Sequence, residues 1–152
     1  MDNELQSLRK RISELERSVW NHLSESNIFK KAFRVIGLHS DFVEFGTYRG
    51  DSLVSAYWEA KNLYKEYIGD RWNMAQSDKG AANLELTKNW EAMKFYAFDS
   101  FQGIPEPKGP DKDLPVFHQG DYLCSEQDFR DNLEAHQFDM RKLHVFPGFF
   151  EV

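Results

Sequence analysis

A single cysteine, Cys124, occurs in 152 residues, so the chain can form no internal disulfide and no cysteine-rich zinc site. A free thiol in a reducing compartment is the plain reading. Nowhere does an apolar run approach the ~20 residues that span a bilayer. The first ten residues, MDNELQSLRK, hold no apolar signal core. These absences set the expectation of a cytoplasmic protein with no membrane partner. Basic residues are few and scattered, 19 against 25 acidic ones for a net charge of −6, which argues against a nucleic-acid partner. The five histidines (His22, His39, His118, His136 and His144) show no metal-ligand spacing, so no metal ligand is assigned. What the chain does have is 41% hydrophobic and 15% aromatic residues, enough to bury a core in one domain.

The first 24 residues read as a helical arm. Leu5, Leu8, Ile12, Leu15 and Val19 are spaced 3, 4, 3, 4, the alternation of a and d positions in a heptad. With Leu5 at a, Glu4 and Arg11 occupy g while Arg9 and Glu16 occupy e. A parallel pair would then match Glu4 with Arg9 and Arg11 with Glu16. Only about two and a half heptads are present, so two readings stand: a short coiled coil, or an amphipathic helix packed on its own domain.

Residues 25–152 read as an α/β domain. Ser24 or Ser26 could cap a helix carrying Ile28, Phe29, Ala32, Phe33 and Ile36 on one face, with Gly37 at its end. A strand at 41–45 leads into a helix from about Asp51 that buries Leu53, Val54, Tyr57 and Trp58. A second strand at 95–98 follows about fifty residues later, where a whole βαβ unit usually takes roughly 30. Residues 65–93 are therefore read as a helical insertion, with a turn at Ser77-Asp78-Lys79-Gly80 and a helix through Ala82, Leu86, Trp90 and Met93. A proline-rich surface loop spans 105–115. Ser125-x-x-Asp128 resembles a capping box for a helix with Phe129 and Leu133, and a third strand spans 143–146.

The segment DFVEFGTYRGDS, 41–52, carries the most chemistry. An apolar strand meets Glu44, then Gly46, then Gly50, then a helix. Glycine at a strand-to-helix turn lets a ligand approach the backbone, and the helix start directs unpaired N–H groups toward it. Ligands of open α/β sheets bind at such carboxyl ends of strands. Asp99 ends the second strand, where a carboxylate can accept from both ribose hydroxyls of an adenosine. The plainer readings are a helix-cap or loop acceptor for Glu44 and an Asx-turn acceptor for Asp99. The spacing G-x-x-x-G differs from the G-x-G-x-x-G of nicotinamide enzymes, which disfavours a dehydrogenase.

DFVEFGTYRGDS, FYAFDSFQGIPEP, GDYLCSEQDF and HVFPGFFEV, in that order, resemble the macrocin O-methyltransferase family of class I S-adenosylmethionine-dependent methyltransferases. The likeness runs from about Phe33 to Val152 apart from 65–93. It implies a Rossmann-like sheet, S-adenosylmethionine as cofactor, a divalent metal such as magnesium, and a sugar or other small-molecule hydroxyl as acceptor. Residue by residue, Glu44, Gly46 and Gly50 match the first cofactor motif, and Tyr48 and Arg49 lie in the turn facing the methionine end. Asp99 matches the ribose-gripping acid, with Ser100 and Phe101 beside it; Gly148 and Phe149 match a position near the adenine.

Family members continue past the equivalent of Val152 with a fourth strand, metal-binding aspartates and most of the acceptor pocket. The resemblance therefore implies an incomplete sheet of about three parallel strands. It implies no assignable catalytic or metal residue, cofactor binding that is weak or absent, and no unaided turnover. Strand 1 would be left as an open edge, to be covered by a homodimer through the N-terminal helix or by a partner chain completing the sheet. A non-catalytic interaction or dimerisation module with a relic cofactor site is the alternative reading.

Overall fold

A computed structural model describes residues 28–70, 76–107 and 118–149. The heptad segment, the caps at Ser24 and Ser26 and most of the proline-rich loop lie outside the described residues. The elements run α1 (Ile28–Ile36), β1 (Phe42–Phe45), α2 (Asp51–Asp70), α3 (Gln76–Ala92), β2 (Phe95–Asp99), α4 (Glu126–Ala135), a 3-10 turn (Met140–Lys142) and β3 (Leu143–Pro147).

The three strands are all parallel, in the order β1-β2-β3. Phe42 sits opposite Phe95 and Phe45 opposite Phe98. Phe95 sits opposite Leu143 and Asp99 opposite Pro147. All three strands therefore end at one rim. Among the described residues β1 has no neighbour on its other side.

Strand periodicity sorts side chains onto two unlike faces. Phe95 and Ala97 are fully buried under the helices. Around them pack Leu53, Tyr57 and Leu63 of α2, Trp90 of α3, and Phe129 and Leu133 of α4. Tyr57 is the hub, its ring 4.5 Å from Phe138, 5.7 Å from Phe95 and 5.9 Å from Trp90. Side chains of this size each contribute about 1.5–3 kcal/mol on full burial. The opposite face carries Phe45, Phe98 and Phe146 in a cross-strand stack, with centroids 4.9 and 4.7 Å apart. Tyr96 stacks on His144 at 5.0 Å beside it.

Two helix ends form as anticipated. Gly37, at φ +72°, closes α1, and its N–H donates to Phe33 O at 2.8 Å. Phe29 and Phe33 of α1 rest on Phe42, at 5.8 and 6.4 Å. Ser125 caps α4, its hydroxyl accepting from the Asp128 N–H at 3.0 Å. Lys142 is buried; its ammonium donates to Trp90 O, and to Glu91 O and Met93 O at 3.3 Å. It thus ties the start of β3 to the open carbonyls at the end of α3.

The connection between β1 and β2 corrects one expectation. Ser77-Asp78-Lys79-Gly80, anticipated as a turn, belongs to the first turns of α3. Serine and aspartate suit a helix start as well as a loop, so composition alone does not separate the two. Tyr64 of α2 stacks on Trp90 of α3 at 5.4 Å, which joins this helical pair to the core. Among the described residues no helix is long and apolar enough to cross a membrane.

Candidate functional site

Parallel register brings the two acids together. Glu44 is opposite Ala97, two residues before Asp99 on the adjoining strand, and the Asp99 charge acts on the Glu44 carboxyl. Period-2 alternation points both toward the helix-covered face, at the carboxyl ends of β1 and β2.

Glu44 is half-buried. The Ser52 hydroxyl, in the first turn of α2, donates to its Oε1. Its Oε2 is buried and has no hydrogen-bond partner among the described residues. Burial lifts this carboxyl above the ordinary glutamate range; Asp99 adds to the rise, and the Ser52 hydrogen bond opposes it. A buried carboxylate oxygen without a donor is costly unless the group is protonated or something cationic reaches it.

Asp99 is more fully engaged. Tyr48 N–H donates to Oδ2 at 2.9 Å and Phe101 N–H to Oδ1 at 2.8 Å; the buried Thr47 hydroxyl lies 3.5 Å from Oδ2. The bond from Phe101 is the anticipated Asx-turn geometry, and the bond from Tyr48 reaches across to the other loop. Tyr48 and Phe101 have φ of 48° and 55°, a left-handed conformation that is unusual for aromatic residues. A carboxylate offers about four acceptor positions, so capacity remains for a ligand hydroxyl.

The glycines differ. Gly46, at φ +75°, donates its N–H to Phe98 O at 2.8 Å, and a Cβ added there would meet nothing within 4 Å. Backbone is open to a ligand at that point. Gly50, at φ +83°, is closed: an added Cβ would lie 2.4 Å from Leu133 Cδ1 and 2.7 Å from Phe129 Cε2. Its lack of a side chain lets α4 pack on the turn. Asn132 of α4 braces the same turn, its amide donating to Arg49 O at 2.8 Å and Asp51 Oδ1 at 3.0 Å.

The remaining candidates surround this rim. Ser100 Oγ donates to Gly103 O at 3.2 Å and accepts from Gln102 N–H at 3.1 Å, shaping the loop after β2. Phe101 packs on Phe129 at 5.4 Å. Gly148, just past β3, donates its N–H to Asp99 O at 2.9 Å, and Phe149 next to it is exposed. Thus Glu44, Gly46, Tyr48 and Asp99 form one cluster, with Ser100 and Phe101 on the adjoining loop. Gly50 and Arg49 O meet α4 instead.

Three contributors escape a reading by motif. Ser52 was visible only as a helix-start residue, yet it holds Glu44. Thr47 sits between the motif positions and is buried against Asp99. Tyr122, at φ 58° and exposed, meets the Tyr48 ring edge-on at 5.6 Å. No local spacing signals that pairing, because 74 positions separate the two tyrosines.

Among the described residues, no group of three or more His, Cys, Asp or Glu side chains is placed to hold a metal ion. A cavity of about 200 Å³ lies between α1 and α2, lined by Lys30, Glu59, Asn62, Leu63 and Glu66, and includes none of the rim residues. The sequence matches no family model, no curated protein and no solved structure.

Proposed function

We propose that this chain is the S-adenosylmethionine-holding part of a methyltransferase that acts on a hydroxyl of a sugar or another small molecule, built on a Rossmann-like sheet. One observation carries the reading: Glu44 and Asp99 end adjoining parallel strands at one rim, and Glu44 keeps a buried oxygen without a donor beside the open backbone of Gly46. That orphaned oxygen fits a cationic group, such as the ammonium of a bound amino-acid moiety. The unused capacity of Asp99 fits a ribose hydroxyl.

When bound, the cofactor supplies a sulfonium methyl that a substrate oxygen attacks. The residues of this chain hold and orient. Glu44, kept in place by Ser52, accepts from the amino-acid end. Asp99 accepts from the ribose while fixing the turn at Thr47 and Tyr48. Their contribution to rate is positioning rather than proton transfer. Catalytic base, magnesium ligands and acceptor pocket are assigned to no residue here.

Titration of the full chain with S-adenosylhomocysteine, followed by amide NMR, tests the reading. Millimolar ligand is expected to shift the amides of Gly46–Gly50 and Phe101. Glu44→Gln and Asp99→Asn, which keep the side-chain shapes, are expected to weaken binding at least fivefold. Unmoved amides in the unsubstituted protein would reject the proposal. The relic-site alternative is favoured by the bonds Asp99 already makes within the chain, and that same result would support it.

A further inference from the structure

Tyr48 and Tyr122 stand at the rim with their backbones in the left-handed region, at φ 48° and 58°. Glycine or asparagine adopts that conformation at lower cost, so an aromatic side chain there points to a use for the ring. Phe101, the third aromatic residue of this kind among the described residues, packs its ring on Phe129. The two tyrosines instead meet each other at 90°, 5.6 Å apart, and stay 39% and 60% exposed. We infer that this corner of two tyrosine rings is the subsite for the methyl acceptor, and that the acceptor is a neutral phenol. The acceptor role rests on the cofactor reading; the binding of an aromatic ring does not.

Position favours the acceptor as occupant. In the proposed complex Glu44 takes the ammonium and Asp99 the ribose, and the sulfonium of S-adenosylmethionine is bonded between those two parts. Tyr48 lies on the turn from β1, which carries Glu44, to α2, and its N–H donates to Asp99 Oδ2 at 2.9 Å. Its side chain therefore leaves the backbone beside the span where the sulfonium methyl would lie. A braced loop brings Tyr122 to it. Gly120 N–H donates to Ile104 O and Ile104 N–H to Asp121 O, both at 2.9 Å. Gly103 permits that approach, since a Cβ there would lie 2.8 Å from both Asp121 O and Gly120 O. On the other side of Tyr122, Cys124 is buried and Ser125 caps α4. Anchored on both sides, the loop holds the ring ready, which spares a ligand the cost of ordering it.

Chemistry favours an aromatic ring over a sugar. Tyrosine offers a large, stiff surface with few rotatable bonds, and aromatic pairs gain from offset or edge-on contact beyond the area they bury. A flat ring parallel to one tyrosine is perpendicular to the other, so it can stack on the first and meet the second edge-on. A sugar must find a partner for every hydroxyl it buries. Polar groups next to the tyrosines are already engaged: Thr47 lies against Asp99, Arg49 O accepts from Asn132, and Asp121 Oδ2 accepts from His118 N–H at 2.8 Å. Burial pushes the nearby Cys124 thiol up; Asp128, Asp99 and Asp51 add to the rise and Arg49 opposes it. With three acids against one base, a neutral phenol is favoured over one that bears a carboxylate. In the transfer the phenol oxygen takes the methyl as the carbon–sulfur bond breaks, and the phenol proton passes to solvent.

Amide NMR of the full chain with methyl 4-hydroxybenzoate, a neutral phenol, tests the inference. Millimolar probe is expected to shift the Tyr48 and Tyr122 amides. Two comparison probes, the saturated analogue methyl 4-hydroxycyclohexanecarboxylate and methyl β-D-glucopyranoside, are expected to bind at least about threefold more weakly, the loss that absent stacking brings. Tyr122→Ala is expected to weaken the phenol by a similar factor and Tyr122→Phe to retain it, with the amides of α4 unmoved in both variants as the check on folding. Unmoved Tyr48 and Tyr122 amides, either comparison probe binding as tightly as the phenol, an unaltered Tyr122→Ala variant, or a Tyr122→Phe variant as weak as Tyr122→Ala would each overturn it. The S-adenosylhomocysteine titration reads the cofactor separately. Shifts with that ligand and none with the phenol would remove this subsite alone. Shifts with the phenol and none with that ligand would uphold the aromatic corner and remove its acceptor role.

Discussion

The backbone N–H of Tyr48 donates to Asp99 Oδ2 at 2.9 Å, so the turn leaving β1 is held by the last residue of β2. A side chain 51 positions away stabilises the left-handed conformation of Tyr48. Tyr48, Thr47 and Phe101 all converge on that one carboxylate, and it lies beside the acid most in need of a cation.

Asp99→Ala should therefore destabilise the fold whatever the ligand. Two backbone donors lose a charged acceptor, each such bond contributing about 1.5–3 kcal/mol at the upper end of its range. Partial exposure reduces the sum to about 2–3 kcal/mol. Asp99→Asn keeps one carbonyl oxygen and should lose about half as much. Urea denaturation of both variants checks this; equal, negligible losses would show that the loops hold without Asp99.

The two site glycines should respond differently to one added methyl. At Gly46 only the positive φ is penalised, costing about 1 kcal/mol. At Gly50 the methyl also collides with Leu133 and Phe129, for a total of about 3 kcal/mol. Thermal melting of Gly46→Ala and Gly50→Ala compares them. A reversed order would contradict the packing of α4 on this turn.

Glu44 should make stability fall as pH rises. A carboxyl whose pKa is higher folded than unfolded binds more protons in the folded state. Its contribution is whole below the unfolded value, about 4.3, and is lost as pH climbs through the folded value. Glu44→Gln removes this dependence, so the variant should gain on the unsubstituted protein from about pH 4 upward. Denaturant midpoints across that range test it; a constant difference would mean that Glu44 titrates normally. Under the cofactor reading, an arriving ammonium would favour the ionised form, so binding should release a proton, detectable by calorimetry in buffers of different ionisation enthalpy.

Lys142→Met should unfold more easily by about 1–3 kcal/mol. The methionine fills the same space, but Trp90 O, Glu91 O and Met93 O lose their donor. Burial pushes the Lys142 ammonium below the ordinary lysine range, while those carbonyls, the Trp90 ring 4.5 Å away and nearby acidic charge such as Glu91 hold it in place. Amide exchange localised to the end of α3 would report the loss; an unchanged stability would mean water serves the carbonyls equally well.

Much of this architecture is legible in local pattern. Short apolar runs mark the three strands, Gly37 and Ser125 mark a helix end and a helix start, and Leu53, Tyr57, Phe129 and Leu133 mark faces that are indeed buried. Such signals survive because they depend on neighbours within one or two turns. Ser77–Gly80 shows the limit: its residues suit a turn and a helix start alike, and the observed backbone is helical.

By itself, then, the sequence determined where the chain extends and coils, and which two acids end successive strands. Tertiary structure alone decided what those acids do. Ser52 meets Glu44, and Tyr48, Thr47 and Phe101 take up much of Asp99. It also decided that Gly50 accommodates a helix while a side chain added at Gly46 would meet nothing within 4 Å among the described residues. The reason is reach: propensity acts between near neighbours, whereas these partners lie on separate segments that only the parallel register of the strands brings within hydrogen-bonding distance.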